Sequence, residues 1–534
     1  MLNEKKQKLA HTIMVQGTAS DVGKSIITAA LCRILTEDGY RVAPFKSQNM
    51  SLNSYVTWDG KEIGRAQGMQ ADACGVLATT DMNPILLKPK KDMISQVVIH
   101  GKPLGDYAAK VYREEILAEA GDIVTTSLAS LRSEYDIVVL EGAGSPAEIN
   151  LKDRDIVNMR AAAWADAPVV LVADIDRGGM FASIVGTLEL LEPHERDRVC
   201  GFIVNKFRGD VSLLTPGLEW LEAKTGKPVL GVVPYLPELG LEDEDSLSLD
   251  SKHGTEYESR SGTDDNKIDI AVIRLPHISN FTDIDPFFRE EDVSIRYVAN
   301  LQQWANPDAV IIPGSKNAVD DLHFLRESGL ADRLERFKQD GGHIVGICGG
   351  YEMLGRKLLD PHHAESDQDQ TDGLGWFPFD VAFAAQKRTV RVEGTAELPG
   401  LSGKFAVEGY EIHMGTVHLT EPDMADGDRI RSIPWTRPFR LRTKGDASAV
   451  PEGIASADGH IWGTFLHGVM HNDELRRSWI NRLREGRGWQ PLPVTVRMRD
   501  QREQSFRRLA DHVRCYVDID RIKHAMGITE RSPS

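Results

Sequence analysis

At 534 residues the chain exceeds what one hydrophobic core accommodates, and two or three domains are expected. With 41% apolar residues it reads as a soluble globular chain, and a net charge of −17 argues against a general nucleic-acid binder. Five scattered cysteines without a CxxC pair argue against a disulfide framework or a zinc site. The polar start MLNEKKQKLAH lacks the apolar core of a signal peptide. No apolar run reaches membrane-spanning length; the richest, APVVLVADI, suits a buried strand. A cytoplasmic protein without a membrane partner is the expectation.

In chain order, the first motif is HTIMVQGTASDVGKS, residues 11 to 25. An apolar strand runs into Gly17, and Gly23-Lys24-Ser25 opens the helix IITAALCRILTED. Backbone N–H groups of such a loop close around phosphate oxygens at a helix N-terminus, whose dipole favours anions. Lys24 would place a point charge at the terminal phosphates, and the Ser25 hydroxyl would be a ligand for Mg²⁺. Five residues rather than four separate Gly17 from Gly23, one more than the standard P-loop spacing. An ordinary strand-to-helix turn is the plainer alternative.

Further apolar strands follow: YRVAPF, ending in Lys46-Ser47-Gln48-Asn49; DIVVL, ending in Glu141; PVVLVA, ending in Asp174-Ile-Asp176-Arg177; VCGFIV, ending in Asn205; and VLGVV. Six near-continuous apolar strands, most separated by helical stretches, predict a parallel sheet buried on both faces. Polar residues gather at the strands' carboxyl ends, where open α/β sheets bind ligands. Glu141 is placed to hold Mg²⁺ there, or else to cap a helix; Asp174 and Asp176 can do the same or pair with Arg177. Lys88, Lys90, Lys91 and Arg65 are read either as a basic rim for an anionic substrate or as ordinary solvated side chains.

Residues 241–267 turn acidic and Ser/Gly-rich, the composition of a linker. A second α/β pattern starts at IDIAVI. AVIIPGSK places Gly314-Ser315 after a strand, and HIVGICGGYEMLG sets Cys348 between Gly346 and Gly350 in a strand–turn–helix context. A nucleophile elbow needs such small neighbours, and the helix N-terminus behind it is expected to lower the thiol pKa and supply an oxyanion donor. A buried structural cysteine is the alternative. IWGTFLHG supplies a base, His467, at another strand end, so nucleophilic acyl transfer is the expected chemistry. RTVRVEGTAEL and KFAVEGYEIHMGTVHL read as hairpin strands, 360–372 (with His362 and His363) as a solvated polar loop, and the segment from Gln501 as a terminal helix pair.

The C-terminal half is similar to the class I glutamine amidotransferases. VQGTASDVGKS resembles the GTxxxVGK[ST] loop of dethiobiotin synthetase, which accounts for its extra residue. Across both halves, APFKSQNMSLNS, DGKEIGRAQ, MNPILLKP, EGAGSPAEINL, DIDRGGMFAS, NKFRGD, GICGGYEMLG, GYEIHMG and FLHG resemble the cobyric acid synthase family, the glutamine-dependent amidases of cobalamin biosynthesis.

That resemblance implies two α/β domains: a P-loop synthetase domain over 1–240, the 241–267 linker, an amidotransferase domain over 268–490 and a helical tail over 491–534. It implies a small-molecule enzyme whose substrates are ATP, glutamine and a corrinoid polycarboxylate. Ammonia released by Cys348 and His467, with Gly314, Ser315 and Gly349 binding glutamine or its oxyanion, would amidate carboxylates phosphorylated by ATP. These would be the b, d, e and g carboxylates of adenosylcobyrinic acid a,c-diamide. Gly17, Thr18, Gly23, Lys24, Ser25 and Asn205 would bind ATP, Ser25 and Glu141 the Mg²⁺, and Lys46, Gln48 and Asn49 would serve phosphoryl transfer or the acceptor. No tightly bound cofactor is expected. Two positions depart from the related patterns. Val469 stands where many class I enzymes have the Glu that orients the catalytic His, leaving Glu411 and His413 as candidates for that role, for corrinoid contact or for hairpin packing. Gln67 stands where dethiobiotin synthetase has an Asp metal ligand, and Asp72 is near it in sequence. Competing readings are a partition-type ATPase switch, a docking module with a degenerate glutaminase, and the same ligation on another polycarboxylate.

Overall fold

A computed structural model describes residues 9–91, 93–237, 239–241, 266–420 and 434–529. All of the expected 241–267 linker except its ends lies outside the described residues. The chain divides into two compact units, one of Met1–Ser51, Glu62–Glu244 and Asp500–Ser534, the other of Leu52–Lys61 and Asp245–Arg499.

The first unit holds six parallel strands: β1 (His11–Gly17), β2 (Val42–Phe45), β3 (Ile137–Glu141), β4 (Val169–Asp174), β5 (Val199–Phe207) and β6 (Val229–Pro234). Their spatial order is β6-β5-β4-β1-β3-β2. Strands β2, β3 and β4 are buried at every position, as continuous apolar runs covered on both faces must be. Because β3 and β4 flank β1, the sheet reverses direction there, and the loop after β1 opens into the crevice where such sheets bind ligands. Helix α1 (Lys24–Glu37) and helix α2 (Arg65–Ala73) stand over this end. A smaller sheet of Gln48–Met50, Ile85–Lys91, Ile94–Ile99 and Lys102–Ala108 lies within the same unit.

The C-terminal segment forms the expected pair of helices, α3 (Met498–Tyr516) and Ile519–Ala525. From Asp500 onward it belongs to the first unit and is not a separate tail. Phe506, Leu509, Ala510, Val513 and Ile522 are buried in one cluster with Ile13, Val15, Leu31 and Val172. Fully burying a side chain of this size contributes about 1.5–3 kcal/mol, which is why an apolar stripe on α3 finds the sheet. His11 Nδ1 meets the Met526 carbonyl at 2.8 Å, and Arg33 pairs with Glu503 at 2.6 Å.

In the second unit β7 (Ile268–Ile273), β8 (Val293–Val298), β9 (Ala309–Ile312) and β10 (His343–Ile347) run parallel. The strand Ile461–Thr464 continues them beside β10, also parallel, and Ile454–Ser456 closes antiparallel on it. A second, mainly antiparallel sheet is built on a long ladder, Phe379–Ala396 against Phe405–Leu419, which contains both expected hairpin segments. The 360–372 stretch is not merely solvated. Buried Asp360 accepts the N–H groups of Ala364, Glu365 and Ser366 at 2.7, 2.8 and 2.7 Å, and Gln370–Asp372 forms a strand. Among the described residues no helix is long and apolar enough to cross a membrane.

Candidate functional site

At the carboxyl end of the first sheet, Gly23 has φ +98°, and a methyl there would lie 2.2 Å from Asn205 Nδ2. Only glycine fits. Asn205 donates to the Val22 carbonyl at 2.8 Å, tying the end of β5 to the loop. The Thr18 N–H donates to the Val172 carbonyl at 3.0 Å, and a methyl on Gly17 would lie 3.0 Å from the Lys24 stem. The Lys24 ammonium donates to the Ala19 and Gly144 carbonyls at 2.8 and 3.2 Å and so lies across the loop.

Glu141 is the centre of this site. Its Oε1 accepts from Ser25 Oγ at 2.8 Å and Lys46 Nζ at 3.1 Å, and its Oε2 from Gln70 Nε2 at 2.5 Å. Both Glu141 and Lys46 are buried. Ser25 and Glu141 therefore converge, as a hydroxyl and a carboxylate sharing one divalent ion must. Among the described residues no group of three or more His, Cys, Asp or Glu converges as a metal site. One carboxylate beside one hydroxyl is a donor set that suits Mg²⁺, which completes its shell with water and phosphate oxygens and needs only one or two carboxylates.

The remaining candidates in this unit have partners within the protein. Asp72 pairs with Arg502 at 2.8 Å. Asp174 takes Lys206 at 2.9 Å, with Arg177 at 3.9 Å, and Asp176 takes Arg208 at 3.2 Å. Arg65, Lys88 and Lys90 form no solvated rim, for all three are buried; Lys88 pairs with Glu62 at 2.5 Å and Lys90 with Asp106 at 2.8 Å. The side chain of Lys91 lies outside the described residues. Gln48 accepts from the Tyr112 hydroxyl, and Asn49 donates to Gln67 Oε1 at 3.1 Å.

In the second unit β10 runs into Cys348 at φ +50° and ψ −111°, a strained conformation for a side chain with Cβ, followed by the helical turn Gly349–Glu352. A methyl on Gly350 would sit 2.0 Å from the Ile312 carbonyl oxygen, and one on Gly346 would sit 2.8 Å from that of Gly350. The bare backbone is thus what lets the elbow close. Gly349 packs on Ser315, whose hydroxyl is committed to Asp321 at 2.6 Å and to the Asn317 N–H at 2.9 Å. A methyl on Gly314 would lie 3.1 Å from His467 Cε1, so the loops bearing Gly314 and His467 touch.

The Cys348 thiol is buried. Burial pushes its pKa well up, Glu352, Asp283 and Glu365 push the same way, and only the Gly349 N–H opposes them. The expected lowering fails because the helix behind the thiol is a single turn, too short for its end charge to offset desolvation. The sulfur lies 3.7 Å from the Ile412 carbonyl.

His467 is fully buried, and the ladder that pairs Ile347 with Thr464 puts Cys348 and His467 at the same end of neighbouring strands. Neither Glu411 nor His413 orients it: Glu411 pairs with Arg388, and His413 Nδ1 meets the Gly415 carbonyl at 2.7 Å. The orienting group is Asp283. Its Oδ2 lies 2.7 Å from His467 Nδ1, and its Oδ1 accepts the Gly468 N–H at 2.7 Å. Tyr410 stacks on the imidazole, with centroids 5.0 Å apart and planes at 16°. Asp283 lies in HISNFTDID, a polar run soon after β7, but nothing local in the sequence links it to a histidine 184 residues away.

Below this turn, Glu452 accepts from Thr464 Oγ1 at 2.5 Å and from the Phe465 N–H at 2.8 Å, and Thr464 Oγ1 accepts from the Leu466 N–H at 3.0 Å. Burial pushes the Glu452 pKa up to about 7.

Comparison with known proteins agrees with the two-part reading. Residues 13–249 match the CobQ/CobB/MinD/ParA nucleotide binding domain, and residues 269–475 the CobB/CobQ-like glutamine amidotransferase domain. The chain is 49% identical over 531 residues to a cobyric acid synthase of Desulforamulus reducens, covering 98% of this chain and 100% of that one. The chain belongs to the cobyric acid synthase family. Members from Geobacillus kaustophilus and Yersinia enterocolitica are each 48% identical, over 96% of this chain and 97% and 98% of theirs. As a member of that family it is a carbon–nitrogen ligase of cobalamin biosynthesis that uses glutamine as amide donor.

Proposed function

We propose that the enzyme amidates the b, d, e and g carboxylates of adenosylcobyrinic acid a,c-diamide, spending one ATP and one glutamine on each. In the glutaminase step His467 Nε2 takes the Cys348 proton as the sulfur attacks the glutamine carboxamide carbon. Asp283 holds the His467 Nδ1–H and offsets the imidazolium charge, and the Gly349 N–H and the Gly314-Ser315 loop are the candidates to meet the oxyanion. The imidazolium returns the proton to the departing ammonia, and water then hydrolyses the thioester to glutamate. A protonated resting thiol suits this scheme, because the nucleophile forms only with substrate in place.

In the first unit Gly17, Thr18 and Gly23 wrap the phosphates of ATP, Lys24 and Lys46 neutralise the γ-phosphoryl group, and Asn205 sits on the nucleotide side of the loop. Ser25 and Glu141 would hold Mg²⁺, which supplies charge neutralisation to the phosphate oxygens. Gln48 and Asn49 lie on the acceptor side. An acceptor carboxylate oxygen attacks the γ-phosphorus, the bond to ADP breaks, and ammonia then displaces phosphate from the acyl carbon. A free carboxylate is a poor electrophile, and phosphorylation gives it a leaving group.

The observation that carries this reading is the 2.7 Å His467–Asp283 contact just beyond the strand that pairs with the one leading into Cys348, in a chain whose other unit surrounds Glu141 with Ser25 and Lys46. Mass spectrometry of adenosylcobyrinic acid a,c-diamide incubated with enzyme, ATP, Mg²⁺ and glutamine tests it. Four successive losses of about 1 Da, from replacement of OH by NH₂ in acyl transfer, are expected. In Cys348→Ala they should vanish with glutamine and persist with ammonium chloride. An unchanged acceptor mass in the wild type would overturn the assignment.

A further inference from the structure

Gln67 lies on α2, is fully buried and is only half satisfied: its Oε1 accepts from Asn49 Nδ2 at 3.1 Å, while its Nε2 has no hydrogen-bond partner among the described residues. Buried side-chain donors are seldom left so, and an unpaired one calls for an explanation, a bound ligand or water among them. Its neighbours hold it in place. A methyl on Gly64 would lie 2.4 Å from Asn49 Nδ2, 2.8 Å from Gln67 Oε1 and 3.2 Å from Asn83 Oδ1, so the three amides close around a bare backbone. Asn83 ties the group to the acidic site, donating to the Lys46 carbonyl at 3.0 Å and accepting the Gly64 N–H at 2.9 Å. One helical turn on, Gln70 shares the face of α2 that carries Gln67 and donates to Glu141 at 2.5 Å. Gln67 thus keeps an unpartnered N–H₂ one helical turn from the residue that donates to Glu141.

Two kinds of group could complete that donor. A phosphate oxygen of ATP is one, but the phosphates already have the loop after β1, Lys24 and Lys46. The other is the acceptor's carboxylate, since the neighbouring amides of Asn49, Asn83 and Gln70 already donate to Gln67, to the Lys46 and Ile85 carbonyls and to Glu141. A carboxylate at position 67 would stand with Glu141 against an anionic acceptor, whereas an amide donates to it without adding charge. We infer that Gln67, positioned by Asn49, binds the carboxylate being amidated through its side-chain N–H₂ and holds it beside Lys46 for attack on the γ-phosphorus. This rests on the proposed ATP-dependent activation of the acceptor. In that step the carboxylate oxygen forms the O–P bond as the bond to ADP breaks, and no proton moves.

Full-length Gln67→Ala and Gln67→Glu are to be compared with the wild type, using ammonium chloride as nitrogen donor and adenosylcobyrinic acid a,c-diamide as acceptor. Fluorescent-nucleotide titration gives the ATP Kd independently. Gln67→Ala should raise the acceptor KM about tenfold, the loss of one hydrogen bond to a charged group, with the ATP Kd within about twofold of wild type. Gln67→Glu should lose about 10²-fold in kcat/KM for the acceptor at pH 8. Relative to wild type it should recover about tenfold by pH 5.5, as the introduced acid gains a proton and can donate again. Wild-type acceptor kinetics in Gln67→Ala, a loss of ATP affinity matching the loss in acceptor use, or a Gln67→Glu defect independent of pH would each overturn the inference. A wild type that fails to amidate the acceptor with ATP and ammonia would instead remove the activation chemistry beneath it.

Discussion

Around Glu141, long side chains from separate segments converge on one carboxylate: Ser25 from α1, Lys46 from beyond β2 and Gln70 from α2. Around Cys348 the construction is of the opposite kind, with a strained backbone, glycines pressed onto carbonyl oxygens and a thiol whose charged form is suppressed by burial. The contrast follows from the chemistry each site suits. Phosphoryl transfer involves a charged group throughout, and it is served by fixed counter-charges that persist before and after the reaction. Acyl transfer from a neutral amide creates charge only transiently, so shape and a correctly held proton acceptor matter more than standing charge.

Mutation should expose that difference. Asp283→Asn keeps the shape and removes the charge that holds His467. It is expected to lower glutamine-dependent kcat by roughly 10³–10⁴-fold, with ammonia-dependent amidation retained, as steady-state assays with the two donors would report. A loss below about tenfold would mean that Tyr410 stacking alone orients the imidazole. Glu141→Gln strikes the charge-built site and should lower amidation with either donor by about 10²-fold, with the defect deepest at low Mg²⁺. If the two donors responded differently, Glu141 would not belong to the step they share.

Smallest and most specific is Glu452, which has no expected contact with substrate. Its pKa is raised to about 7 in the folded protein, above the ordinary value of 4.5. The stability it contributes is therefore complete below about pH 4.5 and is lost as pH rises through about 7. Glu452→Gln should flatten the fall in Tm across that window, which differential scanning calorimetry would measure. An unchanged pH slope would mean that the carboxyl titrates normally and that its hydrogen bonds to Thr464 and Phe465 persist as it ionises.

Most of what local pattern can carry was legible. The six apolar strands, the loop from Gly17 to Ser25, Cys348 between its glycines and His467 after its strand each announce themselves within a dozen residues. Side-chain partnership was harder to read. Asp283 meets His467 across 184 residues, and the pairing of Lys88 with Glu62 turns a cation that looked solvated into a buried ion pair. The thiol expectation failed for a different reason. A helix N-terminus is visible in sequence, but its length and the burial around it are not, and here burial outweighs the dipole.

The return of α3 to the first unit bears on how the molecule is made. Phe506, Leu509, Val513 and Ile522 belong to the same buried cluster as Ile13 and Val15, although the whole second unit is translated between them. On the ribosome, the first unit emerges early but lacks part of its core until the segment from 500 onward has been made, whereas the main body of the second, from 245 to 499, can finish without waiting for that return. Expressing residues 1–244 alone would therefore yield a sheet with an uncovered apolar surface, and co-expression with a peptide spanning 498–529 is the natural way to rescue it.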